Sequence, residues 1–129
     1  AARAPPPPRA ARPVMGDISD EAFDDLVNDA LDQIPDEFAR RLVNVAIQVA
    51  DYNEEHPTYL GLYVGVALPD RTHHHTGFLP DAIFIYKEAL KRYCHSEEDL
   101  AEQVKVTVFH EVGHYFGLEE DDLERLGWG

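Results

Sequence analysis

The segment SEEDLAEQVKVTVFHEVGHYF, residues 96–116, carries the clearest structural signal in this chain of 129 residues. Ser96 followed by Asp99 is typical of a helix N-terminus, where a hydroxyl accepts a hydrogen bond from a backbone N–H three residues on. Apolar residues then cover most of the helical circumference, and Gly117 stands where a left-handed C-terminal cap would fall. Because a helix that is apolar nearly all round is buried, these residues predict a buried helix from 96 to about 116.

His110, Glu111 and His114 form a His-Glu-x-x-His pattern near the end of this helix. Residues four apart share one face of a helix, so both imidazoles can reach a single ion, and zinc binds imidazole nitrogen at about 2.0–2.1 Å. Glu111 lies about 100° round the helix from His110, outside the ligand shell but beside it. The spacing therefore predicts a zinc (Zn²⁺) site on His110 and His114, with Glu111 as general base acting on a metal-bound water.

A third zinc ligand is expected just after the helix, because catalytic zinc takes three protein ligands and keeps one position open for water. Gly117 lets the chain turn back and brings residues 119–122 towards the metal. Glu120 stands ten residues after the first histidine, where an extended form of the motif has its third histidine, and we predict it as the third ligand. The alternatives left open are Glu119, Asp121, Glu124 and the loop histidines His73, His74 and His75.

Apolar periodicity predicts the remaining elements. From Phe23 to Ile34 the i, i+3, i+4 spacing predicts an amphipathic helix that begins at Ser19 and is closed by Pro35. Residues 43–50 alternate and predict a strand whose buried face is Val43, Val45, Ile47 and Val49; residues 59–67 and 82–86 predict two more strands. Short helices are expected over 87–93 and after Glu119, the last one burying Leu123 and Leu126. The order of elements predicts an α+β fold, with a small mixed sheet packed on helices.

Two further sets of side chains have structural interpretations. Tyr115 neighbours His114 but falls on the apolar sector of the helix, which predicts packing in the core. Cys94 and His95 are adjacent in sequence, and neighbours rarely hold a nucleophile and its base in line, so a structural role is predicted for them.

With these segments the chain resembles the minimal zincins, a family of small His-Glu-x-x-His proteins known from actinobacteria and thermophiles. The resemblance covers roughly residues 18–127 and is carried by DEAFDDLVNDALDQIPDEF, NVAIQV, LGLYVGVAL, LPDAIFIYKEAL and, most specifically, HEVGHYFGLEEDDLERLG. It implies a minimal zincin-like fold, a small mixed sheet on an active-site helix with flanking helices. It also implies zinc at His110 and His114, with Glu111 as the catalytic glutamate. Members usually carry aspartate at the position of Glu120, so the side chain at this position is longer here by one methylene group.

The chain is strongly acidic, with 25 acidic and 11 basic residues and a net charge of −14. Such a surface repels phosphate backbones, and no apolar run approaches the roughly 18 residues of a membrane span, so neither nucleic acid nor a membrane is an expected partner. Residues 1–16, rich in proline and arginine, predict a disordered tail before one zincin-like domain over 17–129. The single cysteine and the lack of an apolar leader favour a cytoplasmic location.

The function expected from these residues is that of a zinc-dependent metallopeptidase acting on a peptide or protein substrate. An edge strand, within 59–67 or 82–86, would hold the extended substrate by backbone pairing. The alternative is a zinc-binding module without significant turnover, because peptidase pockets usually need loops and a second lobe that 129 residues hardly accommodate. A partner chain, or a second copy in a homodimer, would supply the missing wall.

Overall fold

The structure is a computed structural model that describes residues 18–65 and 81–128. The predicted tail (1–16), the loop over 69–80 with its three histidines, and the end of the predicted second strand (66–67) lie outside the described residues. The described elements, in chain order, are α1 (Asp20–Asp32), α2 (Asp36–Ala39), β1 (Val45–Ala50), β2 (Gly61–Val64), β3 (Asp81–Tyr86), α3 (Lys87–Tyr93), α4 (Glu97–Tyr115) and α5 (Glu120–Leu126).

Helix α1 confirms the predicted amphipathic helix. The Ser19 hydroxyl accepts a hydrogen bond from the backbone N–H of Ala22 at 3.0 Å. Two acidic residues follow in the first turn, where their negative charge interacts favourably with the positive end of the helix dipole. Phe23, Val27 and Ala30 are buried, and the helix packs against α4. Burial of one face against α4 is thus what holds α1 in place.

The sheet is mixed, with strand order β1-β3-β2. Strand β3 is central: β1 pairs with it in parallel and β2 in antiparallel orientation. Ile83 and Ile85 of β3 are fully buried. A small mixed sheet combined with helices confirms the predicted α+β fold.

The predicted buried face of the first strand is wrong at both ends. Asn44 adopts a left-handed backbone conformation (φ 57°), so the strand begins only at Val45, and Val43 is 61% exposed. Asn is one of the few residues that adopt this conformation at low cost. Val49, at the other end, is 38% exposed because it borders an open cleft between α1 and β1.

Helix α4 is 19 residues long and confirms the predicted helix, which is buried mainly along its second half. The Ser96 hydroxyl accepts from the backbone N–H of Asp99 at 3.0 Å. At the other end Gly117 is left-handed (φ 79°), and the N–H groups of Gly117 and Leu118 donate to the carbonyls of His114 and Gly113, both at 2.9 Å. This pair of bonds is a Schellman motif, which ends the helix and reverses the chain.

Helix α5 buries Leu123 as predicted, but Leu126 is 49% exposed, so that part of the prediction is wrong. Gly127 is left-handed (φ 77°) and turns the chain back, with the N–H of Trp128 donating to the carbonyl of Leu123 at 2.8 Å. Trp128 then packs edge-on against Phe109 and Phe38, with ring centroids 5.1 and 5.2 Å apart. The indole is therefore buried against α4 and α2, whereas Leu126 stays exposed.

Helix α4 is at the centre of the molecule, where it packs against α1, α3, β2 and β3. Its buried positions include residues with no exposed surface, such as Leu100, Val104 and Val112. Within 18–65 and 81–128, no helix has the length and apolar character needed to cross a membrane.

Candidate metal centre

The last turns of α4 bring His110 and His114 to one face of the helix. Their ring centroids are 4.7 Å apart, with 75° between the ring planes. The side chain of His110 is only 10% exposed and that of His114 22%. The predicted pair of imidazoles is therefore adjacent and largely shielded from solvent.

Glu120, the first residue of α5, faces both imidazoles. Its Oε1 lies 3.3 Å from Nε2 of His110 and 3.5 Å from Nε2 of His114. The Schellman turn at Gly117 brings this carboxylate back towards α4. Among the described residues, these three form the group whose ligand atoms all lie within 4.8 Å of one another.

The alternative third ligands are placed differently. Glu119 is the N-cap of α5: its side chain accepts from the backbone N–H of Asp122, and the Asp122 carboxylate accepts from the N–H of Glu119 at 3.1 Å. Asp121 is exposed, and neither it nor Glu119 or Glu124 belongs to the group of close ligand atoms. The three loop histidines lie outside the described residues.

The residues of this group fit a zinc ion. Within the described part of the chain, Nε2 of His110 and Nε2 of His114 are buried and make no hydrogen bond, an arrangement that costs free energy unless a partner is present. In a tetrahedral site with bonds of about 2.0–2.1 Å, two ligand atoms are about 3.3–3.4 Å apart. The observed nitrogen–oxygen distances of 3.3 and 3.5 Å agree with that spacing.

The electrostatics at His114 favour the neutral imidazole. Burial lowers its pKa, the nearby His110 lowers it further, and Glu120 acts in the opposite direction. Because a metal binds only the deprotonated nitrogen, a lowered pKa leaves His114 ready to act as a ligand near neutral pH.

Glu111 is fully buried on the neighbouring face of α4, where β2 passes. A Cβ added to Gly61 of β2 would lie 2.6 Å from Cγ2 of Thr107 and 3.2 Å from Cγ of Glu111. The missing side chain at Gly61 therefore lets the strand run close to Glu111. Sequence reasoning did not identify this contact; the available signal was a glycine inside a strand pattern, which often marks close approach of a backbone.

Gly113, between the two histidines, is a second position that sequence reasoning missed. A Cβ there would lie 2.2 Å from Cδ2 of Leu123, so α5 packs directly on the backbone of α4 at this residue. Gly113 occupies one of the two variable positions of the His-Glu-x-x-His motif, and the motif does not indicate that a second helix packs there.

Tyr115 and Cys94 have the structural roles predicted for them. Tyr115 is 1% exposed and donates a hydrogen bond from its hydroxyl to the carbonyl of Val43 at 2.9 Å. Cys94 is fully buried, and burial, followed by the charge of Asp99, raises its pKa to about 12. A thiol in that state is a poor nucleophile.

A cleft of about 550 Å³ lies between α1 and β1, away from these residues. Its lining combines apolar and charged side chains: Asp20, Asp24, Val27, Asn28, Leu31, Ile47, Val49, Asp51 and Lys87. Neither histidine, nor Glu111 or Glu120, contributes to it. The cleft and the group of candidate metal ligands are therefore separate features of the molecule.

Comparison with known proteins agrees with the fold. The family model described as zincin-like metallopeptidase matches residues 42–128, a range that includes His110, Glu111, His114 and Glu120. A conserved hypothetical protein from Thermus thermophilus has a similar structure, with a TM-score of 0.54 and 24% sequence identity over 84% of this chain and 97% of that one. No curated protein matches the chain. The resemblance to minimal zincins is confirmed, and the chain belongs to the zincin-like metallopeptidase family.

Proposed function

We propose that the protein is a zinc-dependent metallopeptidase in which His110, His114 and Glu120 hold the ion and Glu111 is the general base. The observation that carries the proposal is the position of the Glu120 carboxylate, 3.3 and 3.5 Å from two buried imidazole nitrogens that make no hydrogen bond within the described residues. Glu111, which follows His110 in the same helix, has no exposed surface.

The proposed chemistry is hydrolysis of a peptide bond. When bound, zinc supplies Lewis acidity that polarises a carbonyl and lowers the pKa of a water towards about 7. Glu111 accepts a proton from the attacking water and then passes it to the nitrogen of the leaving amine. Its burial against β2 fixes the carboxylate in one place, so that little reorganisation is needed when the proton moves.

Strand β2 is the better candidate for holding an extended substrate. Strand β3 is central and pairs on both edges, so its backbone groups are already engaged. Within the described residues β2 pairs only with β3, and its Gly61 lies against Glu111. A peptide paired with β2 on the side away from β3 would therefore run past the proposed base.

A zinc-binding module without significant turnover is the second candidate. The observation that favours it is the location of the 550 Å³ cleft, which lies between α1 and β1 rather than beside the proposed ligands. Under this alternative the metal stabilises the packing of α4 and α5, and the protein acts by binding a partner. A second copy of the chain is one candidate for that partner.

The two candidates are separated by measuring zinc content and peptide hydrolysis on the same preparations. The peptidase proposal predicts zinc in the wild type and in Glu111→Gln, turnover in the wild type only, and loss of zinc in His110→Ala. Glu120→Gln should weaken zinc binding, whereas Asp121→Asn, the matched change at the exposed neighbour, should leave it unchanged. The two carboxylates are expected to differ because that of Glu120 faces the imidazoles, whereas Asp121 is outside the group of close ligand atoms.

Two results would overturn parts of this proposal. If the wild type holds zinc but cleaves nothing across a broad peptide library, the binding module replaces the peptidase. If His110→Ala holds zinc as tightly as the wild type, the metal centre itself is wrongly assigned.

A further inference from the structure

The position of α5 determines where the proposed third ligand lies. His110 and His114 are fixed to one another by α4, but Glu120 is on a different helix. Its carboxylate reaches both imidazoles only while α5 keeps its present distance from α4. The contacts between these two helices therefore bear directly on the metal group.

One of these contacts is made by the side chain of Leu123 on the backbone of α4. Leu123 is fully buried and follows Glu120 by three residues, so it lies about one turn further along α5. A Cβ at Gly113 would lie 2.2 Å from its Cδ2, whereas ordinary van der Waals contact begins near 3.4 Å. With any side chain at 113, the Cδ2 methyl group of the buried Leu123 would thus have to move by about 1 Å.

Glycine at 113 is not explained by the conformation of α4 itself. Within a helix, glycine is less stable than alanine by roughly 0.5–1 kcal/mol. Gly113 is not among the glycines with positive φ, so it does not use the conformational freedom that often justifies the residue. What remains is the close approach of α5.

We propose that Gly113 is a positioning residue for the third metal ligand: its missing side chain lets Leu123 dock on α4 and so holds Glu120 beside both imidazoles. The inference rests on the proposed assignment of Glu120 as a ligand. Gly113 touches no ligand atom of the metal, yet it sets the affinity for the ion through the distance between two helices.

The first test is the zinc affinity of full-length variants, measured by competition with a chromophoric chelator. Gly113→Ala should bind zinc about 10- to 100-fold more weakly, the range expected when an outer partner of a ligand is lost. Helix propensity alone predicts no such loss, since alanine favours the helix. Leu123→Val removes Cδ2, so adding it to Gly113→Ala should restore most of the affinity.

A double-mutant cycle decides whether Gly113 acts through Glu120. In a Glu120→Ala background, Gly113→Ala should have no further effect on zinc affinity. If it still weakens binding there, the substitution acts on the adjacent His114 instead, and the inference is overturned. It is equally overturned if Gly113→Ala binds zinc like the wild type.

A further comparison keeps the inference testable even if Gly113→Ala alone does not fold. Leu123→Val and Gly113→Ala/Leu123→Val should bind zinc with equal affinity, because the colliding atom is absent from both. A large difference between them would contradict the proposed contact. Failure of the proposed metal centre looks different: Glu120→Ala would then bind zinc as tightly as the wild type.

Discussion

Both halves of α4 contribute buried side chains, but of different kinds. From Glu97 to Val104 the buried side chains are apolar, with Leu100 and Val104 fully covered, and Ser96 caps the end of the helix. From Thr107 to Tyr115 the buried set includes polar side chains: Thr107 is 1% exposed, His110 8% and Glu111 0%. Two other elements also approach this second half closely, at glycines.

The difference indicates that the first half of α4 contributes mainly to the stability of the fold, whereas the second half carries the proposed site. Apolar burial in the first half contributes roughly 1.5–3 kcal/mol for each large side chain. Burial of polar groups in the second half costs free energy unless each finds a partner. We therefore expect substitutions in the first half to change the stability of the fold while leaving metal affinity unchanged, and substitutions in the second half to change the proposed site.

The largest effect on stability is expected from Leu100→Ala. This side chain has no exposed surface, and truncation of a buried leucine typically lowers the free energy of unfolding by about 2–5 kcal/mol. Urea denaturation in the presence of a chelator measures it, and Leu126→Ala, at a half-exposed leucine, is the control with a much smaller loss. Zinc affinity of the folded Leu100→Ala protein should equal that of the wild type; a clear decrease would break the division between the halves.

Gly61→Ala tests the second half from the side of β2. The added Cβ would lie 2.6 Å from Cγ2 of Thr107, and such overpacking typically costs about 1–3 kcal/mol. Thr107→Ser removes that methyl group, so the double variant should recover part of the stability; the added Cβ would still lie 3.1 Å from the carbonyl oxygen of Phe84. Gly61→Ala, alone or with Thr107→Ser, should change peptide turnover more than zinc content, because the added Cβ lies beside Glu111 rather than beside the imidazoles. Equal losses in the single and double variants would contradict this contact.

Local signals were sufficient to predict most elements and to select the three side chains, His110, His114 and Glu120, that lie together at the end of α4. The caps at Ser19 and Ser96, the apolar periods of α1 and α4, and the left-handed Gly117 all depend on residues within a few positions of each other. The i, i+4 spacing of the histidines follows from helix geometry in the same way. The sequence favoured Glu120 among the acidic residues that follow Gly117, but only the packing of α5 shows that Glu120, and not an acidic neighbour, faces the imidazoles.

Apart from Val43, whose exposure follows from the left-handed backbone of its neighbour Asn44, the errors occur where distant residues decide the outcome. Burial of Trp128 in place of Leu126 depends on Phe38 and Phe109, which lie far apart in the sequence. Exposure of Val49 depends on the cleft beside α1. For Gly61 and Gly113, a sequence shows that a side chain is missing but cannot show which atom of another element occupies the space.

A smaller effect is expected from Ser96→Ala, which removes the cap of α4. Loss of a serine N-cap typically costs about 1 kcal/mol, because a backbone N–H loses its hydrogen-bond acceptor. Ser19→Ala, which removes the matching 3.0 Å cap of α1, is the control and should cost a similar amount in urea denaturation. Neither change should alter zinc affinity, since Ser96 is fourteen residues before His110. Weaker zinc binding in Ser96→Ala alone would mean that the two halves of α4 are coupled.

The effect that is smallest near neutral pH concerns Cys94, just before the first half of α4, and it appears only in alkaline solution. Burial raises the pKa of this thiol from 9.0 to about 12, so the folded protein keeps a proton that the unfolded chain releases. The stability contributed by the neutral thiol is therefore fully present below pH 9 and is lost as the pH rises from 9 towards 12. At pH 9 the loss is only about half a kcal/mol, and it then grows by about 1.4 kcal/mol for each pH unit.

The comparison of wild type with Cys94→Ala isolates this contribution, because lysine and tyrosine titration is common to both. The difference between their free energies of unfolding should stay constant from about pH 6 to 8 and shift in favour of the variant above about pH 9. A thiol reagent at about pH 8 should also label the wild type only at the rate of unfolding, since the side chain is fully buried. Rapid labelling of the native protein, or a pH-independent difference, would mean that the core beside this half of α4 is open to solvent, and the contrast between the two halves would then be lost.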